Sequence, residues 1–102
     1  METGDMRRRL EESRTGHLGT VGADAAPHVV PVCFVLEGNS IYFAVDSKPK
    51  RTRDLKRLRN IATNPRVTVL IDHYEEDWRR LWWVRVDGLA RVVADEDEIE
   101  MA

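Results

Sequence analysis

The sequence predicts a mostly β protein: a small antiparallel β-barrel with one flanking helix, its elements running β-β-β-α-β-β. Three observations predict it. Five runs rich in β-branched and aromatic residues recur between turn signals: His17 to Gly22, His28 to Leu36, Ile41 to Asp46, Val67 to Asp72 and Leu81 to Val93. The reversal Glu37-Gly-Asn-Ser40 joins two of them as a hairpin. Only the segment from Thr52 to Asn64 carries a strong helical period, so one helix must serve five or more strands, which favours closure into a barrel.

Residues 1–14 read as a polar lead-in or short helix in which Met6 and Leu10, four apart, form a docking pair. The domain proper is 15–102. Its first strand ends at Gly22, and Ala23-Asp-Ala-Ala-Pro27 is a turn. In the second strand Pro31 has no N–H for a ladder, which places it at an edge, a bulge or a bend around the barrel. Gly88 marks a bulge or kink in the last strand. The acidic tail from Ala94 to Ala102 is expected to begin a helix, leaving the barrel without a further strand.

Composition narrows the class. A chain of 102 residues is one domain, and 42% hydrophobic with 33% charged residues places it among globular proteins rich in charge. The net charge of -2 argues against a general nucleic-acid binder, because the basic middle is offset by Asp72, Glu75, Glu76, Asp77 and the acidic tail. Cys33, the single cysteine, excludes an intrachain disulfide and a cysteine-based metal site; inside the apolar run Val29 to Leu36 it is expected as a small buried hydrophobe. Arg7-Arg8-Arg9 is followed by Glu11 and Glu12 rather than an apolar core, and no uncharged run approaches ~18 residues, so neither a leader nor a spanning helix is expected. A cytoplasmic protein is the simplest expectation.

Half of the Lys and Arg lie between Ser47 and Arg66: Lys48, Lys50, Arg51, Arg53, Lys56, Arg57, Arg59 and Arg66. Leu55, Leu58, Ile61 and Ala62 fall within about 120° on a helical projection, with Arg53, Lys56, Arg57 and Asn60 opposite. Thr52 serves as N-cap, Asp54 complements the dipole and Pro65 ends the helix. The preceding loop brings Ser47, Lys48, Lys50 and Arg51 to the helix start, and cations converging there suit a phosphate better than a solvated surface does.

His17, His28 and His73 have no metal-ligand spacing, and no serine or cysteine lies in a nucleophile context, so neither a metal site nor nucleophilic catalysis is expected. Trp78, Trp82 and Trp83 are dense for so short a chain. Strand alternation puts Trp82, Val84 and Val86 on one face and Trp83 and Arg85 on the other. Trp82 is expected in the core. Trp83 is expected at a subunit interface or, with Trp78, along a flat slot for an aromatic ring whose phosphate tail the cations hold.

Gly19-Thr-Val-Gly-Ala-Asp-Ala-Ala-Pro-His-Val-Val-Pro-Val-Cys-Phe, Ile41-Tyr-Phe-Ala-Val-Asp-Ser-Lys-Pro-Lys-Arg-Thr, Leu58-Arg-Asn-Ile-Ala-Thr-Asn-Pro-Arg-Val, Asp72-His-Tyr-Glu-Glu-Asp-Trp and Leu81-Trp-Trp-Val-Arg-Val-Asp-Gly, in this order, resemble the pyridoxamine 5'-phosphate oxidase-like FMN-binding split barrels. More narrowly, they are similar to the subgroup that uses the deazaflavin F-420. The resemblance spans His17 to Val93. It implies an oxidoreductase that transfers hydride between FMN or F-420 and a small organic substrate, working as a homodimer with the cofactor between subunits. It assigns the cofactor phosphate to Lys56 and Arg57, with Ser47, Lys48 and Lys50 contributing. It also runs Val30, Pro31 and Val32 beside the ring and puts Trp83 near it. The oxidase's paired Arg-Lys is reversed here. The family's closing C-terminal strand and helix are expected to be missing beyond Ala102, which would leave an open barrel edge. Two other functions are compatible with the sequence: a non-catalytic carrier of a flavin or haem-type ligand, and a nucleic-acid-binding barrel that stacks bases on its indoles.

Overall fold

The computed structural model describes residues 2–44, 56–93 and 98–101. It contains helix α1 (Thr3–Glu12), strands β1 (Thr15–Val21), β2 (Pro27–Glu37) and β3 (Ser40–Ala44), and helix α2 (Lys56–Thr63). Strand β4 (Arg66–His73), a 3-10 turn (Trp78–Arg80), and strands β5 (Trp82–Val92) and β6 (Glu98–Met101) follow. Six antiparallel strands close into a barrel in the order β1-β2-β3-β6-β5-β4. This is the predicted fold class with one strand added.

Two sheets share the long strands. In sheet A the first part of β2 pairs with β1, β1 with β4, and β4 with β5 from Trp82 to Leu89. In sheet B the second part of β2 pairs with β3, β3 with β6, and β6 with Ala90 to Val92 of β5. β2 thus changes partner after Cys33 and β5 after Leu89, and these two corners fold one ribbon into a barrel.

Alternation along each strand fills the interior. Leu18 and Thr20 of β1, Val32 and Phe34 of β2, Val67, Val69 and Ile71 of β4, and Val84 of β5 are buried, while their sequence neighbours face out. Phe34 and Phe43 meet with ring centroids 6.2 Å apart at a tilt of 56°. Each buried Val, Leu, Ile or Phe contributes about 1.5–3 kcal/mol through removal from water. Leu10 of α1 and Ile61 of α2 add one buried side chain each to this core.

Four sequence expectations change here. Residues Glu98–Met101 of the acidic tail form β6, not a helix: Ile99 and Met101 point into the barrel while Glu100 points out, and the strand fills the gap between β3 and β5. The open edge expected of this barrel is therefore closed. Gly88 lies in an unbroken register opposite Val67, with no bulge. Cys33 is exposed, because an outward position lies between inward Val32 and Phe34. Pro31 does sit as expected of an edge residue. Phe34 donates its N–H to the Arg14 carbonyl, so alternation makes Pro31 and His17 a non-hydrogen-bonded pair and turns the proline nitrogen away from β1.

The hairpin turn after β2 carries Gly38 at φ 59°, a left-handed conformation in which a side chain is strained. Arg7 of α1 donates to the Gly38 carbonyl at 2.7 Å, tying the helix to that turn. Among the described residues no helix is long and apolar enough to cross a membrane.

Candidate functional site

The outer face of sheet A is assembled by register. Across β2, β1, β4 and β5 its rows read Pro27, Val21, Arg66, Leu89; then Val29, Gly19, Thr68, Asp87; then Pro31, His17, Leu70, Arg85. Cys33 and Thr15 start a fourth row, to which β4 and β5 bring Asp72 and Trp83. Every outward position of β2 from Pro27 to Val35 is apolar. Gly19 places no side chain on this face, so the first two rows form the floor of an open cleft of about 780 Å3. Arg66, Arg85, His28 and Asn64 supply its polar lining. Asp87 is already engaged: it accepts from the Thr68 hydroxyl at 2.7 Å and pairs with Arg85 at 3.4 Å.

α2 lies at the end of the sheet nearest the first row. The arc that docks is not the one the apolar pattern predicts. Asn60 is 4% exposed and Ile61 buried, Lys56, Arg57 and Leu58 are half-buried, and Ala62 is exposed. The helix is thus turned by about a quarter revolution from the expected orientation, bringing Arg57 into the docked arc. A recess in β1 explains this. Asn60 Nδ2 donates to Thr20 Oγ1 at 3.0 Å, and Gly22 leaves the space: a Cβ there would collide with the Asn60 carboxamide. A buried, satisfied amide outweighs one more methyl group in contact.

Lys56 reaches Asp24 in the β1-β2 turn, Nζ to Oδ2 at 3.5 Å. The Asp24 carboxylate also accepts from the Ala26 N–H at 3.1 Å; that bond first, and Lys56 second, hold its pKa below the ordinary value. Arg57 has no hydrogen-bond or ion-pair partner among the described residues. One cation of the expected pair is therefore held by an internal carboxylate, and the other, half-buried, has no such partner among the described residues.

The tryptophans occupy the opposite end of the sheet. Trp83 faces out, 64% exposed, and lines a second cleft of about 510 Å3 with Met6, Leu81, Trp82, Val84 and Arg85. Trp78 stands 82% exposed on the 3-10 turn, whose start is capped by Asp77 accepting from the Arg79 N–H at 3.1 Å. Trp82 faces in but is only half-buried. It stacks on His73 at 6.0 Å, and the Arg9 guanidinium lies 4.7 Å from the ring centre. The alternation expected for Trp82 and Trp83 thus holds.

Of the predicted site residues, Lys56 and Arg57 come together at one end, and Val30, Pro31 and Val32 run along the near edge of sheet A. Val30 and Val32 turn inward and only Pro31 faces out. Trp83 lies at the other end of β5: it is six strand steps from Leu89 of the first row, about 20 Å at the usual strand rise. Ser47, Lys48, Lys50 and Arg51, with Thr52, Asp54 and Leu55, lie outside the described residues. Sequence reasoning missed Asn60, Thr20 and Gly22 as one unit. It also missed the cross-strand set in which Tyr42 donates to Glu100 at 2.7 Å and Arg91 donates to the same carboxylate at 2.8 Å. Among the described residues no group of His, Cys, Asp and Glu is placed to hold a metal ion.

Over residues 3–102 the chain matches the family model described as Pyridoxamine 5'-phosphate oxidase. No curated protein matches the sequence. Among solved structures, the FAD binding protein from Mycobacterium smegmatis is 21% identical and superposes with a TM-score of 0.71 over 100% of this chain and 87% of that one. A FAD-binding protein from Mesorhizobium loti is 26% identical with a TM-score of 0.74, covering 93% of this chain and 62% of that one. The heme storage protein from Vibrio cholerae is 20% identical with a TM-score of 0.68, covering 89% and 62%. The chain spans less than two thirds of the length of the last two, and at such identities the likeness is one of fold.

Proposed function

The chain belongs to the pyridoxamine 5'-phosphate oxidase family, and from that premise we propose that it is a flavin- or deazaflavin-dependent oxidoreductase acting as a homodimer, with FMN or F-420 bound against the outer face of sheet A. The observation that carries this reading is that face itself. It combines an exposed apolar strand, a side-chain-free floor at Gly19 and a rim of arginines, and α2 with Lys56 and Arg57 lies at the end of the sheet nearest the first row, outside the residues that line the cleft. A planar ring fits an apolar floor without side chains, and a phosphate fits the cations at its end. FAD-binding proteins with the same fold add support for a flavin.

When bound, the cofactor supplies the hydride chemistry. The protein's own residues have three tasks. Lys56 and Arg57 hold the phosphate, Lys56 exchanging Asp24 for it. Pro31, Val29 and the Gly19 floor orient the ring and keep water from its face. Trp83, about 20 Å along β5 from Leu89 at the end of the sheet nearest α2, meets the ring of a cofactor whose phosphate sits on α2 only if a second subunit brings its own sheet A across. That span is the reason for reading the protein as a dimer, and its exposed apolar β2 offers an interface of the apolar kind that dimers use.

Titration of the tryptophan fluorescence with FMN and with F-420 tests the reading. Quenching by one of them at micromolar concentration, together with a dimer in sedimentation, is the expected result. Silence with both, or a folded monomer, overturns it. A second reading, a carrier of a flavin or haem-type ligand, is favoured by exposed His17 in the middle of the same face and by a heme storage protein on the same fold. Reduction of an added electron acceptor by the protein with reduced F-420 or FMN separates enzyme from carrier.

A further inference from the structure

We propose that Asn60 is the positioning residue of the anion site: its buried hydrogen bond to Thr20, seated against Gly22, sets the rotation of α2 and with it the place of Arg57 and Lys56. The inference rests on reading α2 as the element that holds the cofactor phosphate.

Asn60 and Arg57 are three apart, and Ile61 and Arg57 four apart, so all three share one helical face. The apolar pattern by itself would dock the arc from Leu55 to Ala62 and send Arg57 to the far side. The observed docking shifts that arc: Ile61 and Leu58 still meet the core, Asn60 is buried beside them, Arg57 is half-buried and Ala62 is exposed. The one polar contact buried between α2 and β1 among the described residues is the bond from Asn60 Nδ2 to Thr20 Oγ1 at 3.0 Å. Gly22 makes the recess specific: a Cβ there would meet Asn60 Cγ at 3.0 Å and its Cα at 3.7 Å, so no larger residue lets the helix approach in this rotation. Without the amide, the apolar arc competes for the same groove. A turn of the helix displaces Arg57, and a displacement on the order of 1 Å already weakens an oriented contact.

The role predicts an effect confined to the phosphate. Affinities of FMN and of riboflavin, which lacks the phosphate, are measured for the parent, Asn60→Ala, Thr20→Val and Thr20→Ser; if F-420 binds more tightly, it is paired with its deazaflavin ring freed of the phosphate tail. The expected result is that Asn60→Ala and Thr20→Val each weaken the phosphate-bearing ligand by about tenfold, leave the phosphate-free ring within about twofold, and that Thr20→Ser, which keeps the hydroxyl, binds like the parent. Thr20→Val is nearly isosteric and reports even if Asn60→Ala fails to fold. Equal weakening of both ligands, or no change in either with a folded variant, overturns the positioning role. A parent that binds the two ligands alike overturns the phosphate reading itself, and the positioning role falls with it.

Discussion

The two ends of sheet A are held by different chemistry. At the α1 end, Leu10 is buried in the core, Arg9 lies over Trp82, and Trp82 stacks on His73. At the α2 end, Ile61 is the buried apolar anchor with Leu58 packed beside it, and two polar contacts join them: Asn60 to Thr20 within the barrel and Lys56 to Asp24 outside it. The first arrangement gains from area and aromatic contact and is indifferent to small rotations. The second is directional, because an amide and a hydroxyl meet in one geometry only. On the proposed function, the α1 end is expected to bear more on stability and the α2 end more on ligand placement.

The sharpest way to break this contrast is Trp82→Ala. It should lower unfolding free energy by about 3 kcal/mol, at the low end for a large aromatic since the ring is half-buried, and leave ligand affinity in the folded variant unchanged. Chemical denaturation with ligand titration checks both arms. A loss of phosphate-dependent affinity would erase the division between the ends. Trp83→Ala, on the outer face, should cost less in folding than Trp82→Ala and more in ligand binding or dimerisation.

The converse change is Lys56→Ala with Arg57→Ala. Binding of the phosphate-bearing cofactor should weaken by about 2 kcal/mol or more, from hydrogen bonds to charged groups of roughly 1.5–3 kcal/mol each, with little movement of the melting temperature. Calorimetric titration beside thermal unfolding decides it. Equal affinity for parent and variant would place the phosphate elsewhere.

Asp24→Asn is the smaller and opposite test. Removing the carboxylate that engages Lys56 should tighten phosphate binding by a few-fold, consistent with the modest worth of an exposed ion pair. Unchanged or weaker binding would mean that Asp24 is no competitor for the site.

The smallest effect concerns the far side of the barrel and serves as a control. The bonds from Tyr42, first, and Arg91 hold Glu100 below its ordinary pKa, so its contribution to folding is present above that value and lost as pH falls through the folded one. Glu100→Gln should therefore melt below the parent at neutral pH and converge with it under acid conditions. On the alkaline side Tyr42 has its pKa raised, chiefly by the hydrogen bond to Glu100, so that bond's support persists through neutrality and fades only as the tyrosine ionises. A constant gap at all pH values would show that the charge on Glu100 carries no linkage.

Most of the barrel was legible because strand alternation is a local rule: Val67, Val69 and Ile71, or Trp82 and Val84, declare their faces within a few residues. Cys33 shows where the rule was set aside. An unbroken apolar run from Val29 to Leu36 suggested burial throughout, although alternation still turned every second side chain outward. β6 was hidden because Glu98-Ile-Glu-Met101 offers only two inward residues amid acids, and its strand character comes from the β3 and β5 edges that receive it. Asn60 was misplaced for a related reason: the rotation of a short helix is decided by the shape of the groove that accepts it. Gly22 and Thr20 form that groove, some forty positions earlier in the chain. Lys56 and Arg57 were legible as neighbours on one helix; that Lys56 pairs with Asp24 of the β1-β2 turn was not.

The closure of the barrel also has a kinetic side. Tyr42 and Glu100, which meet across β3 and β6, are 58 positions apart, so the last seam forms only after most of the chain has been brought to order. The loop-closure entropy of such a contact is spent before any of its burial is gained. Hairpins such as β2 with β3 and β5 with β6 can form early, whereas the seam between β3 and β6 is expected to close last. Folding should accordingly be slow for so short a chain, and Tyr42→Phe, which cuts the bond across the β3-β6 seam, should speed unfolding far more than it slows folding.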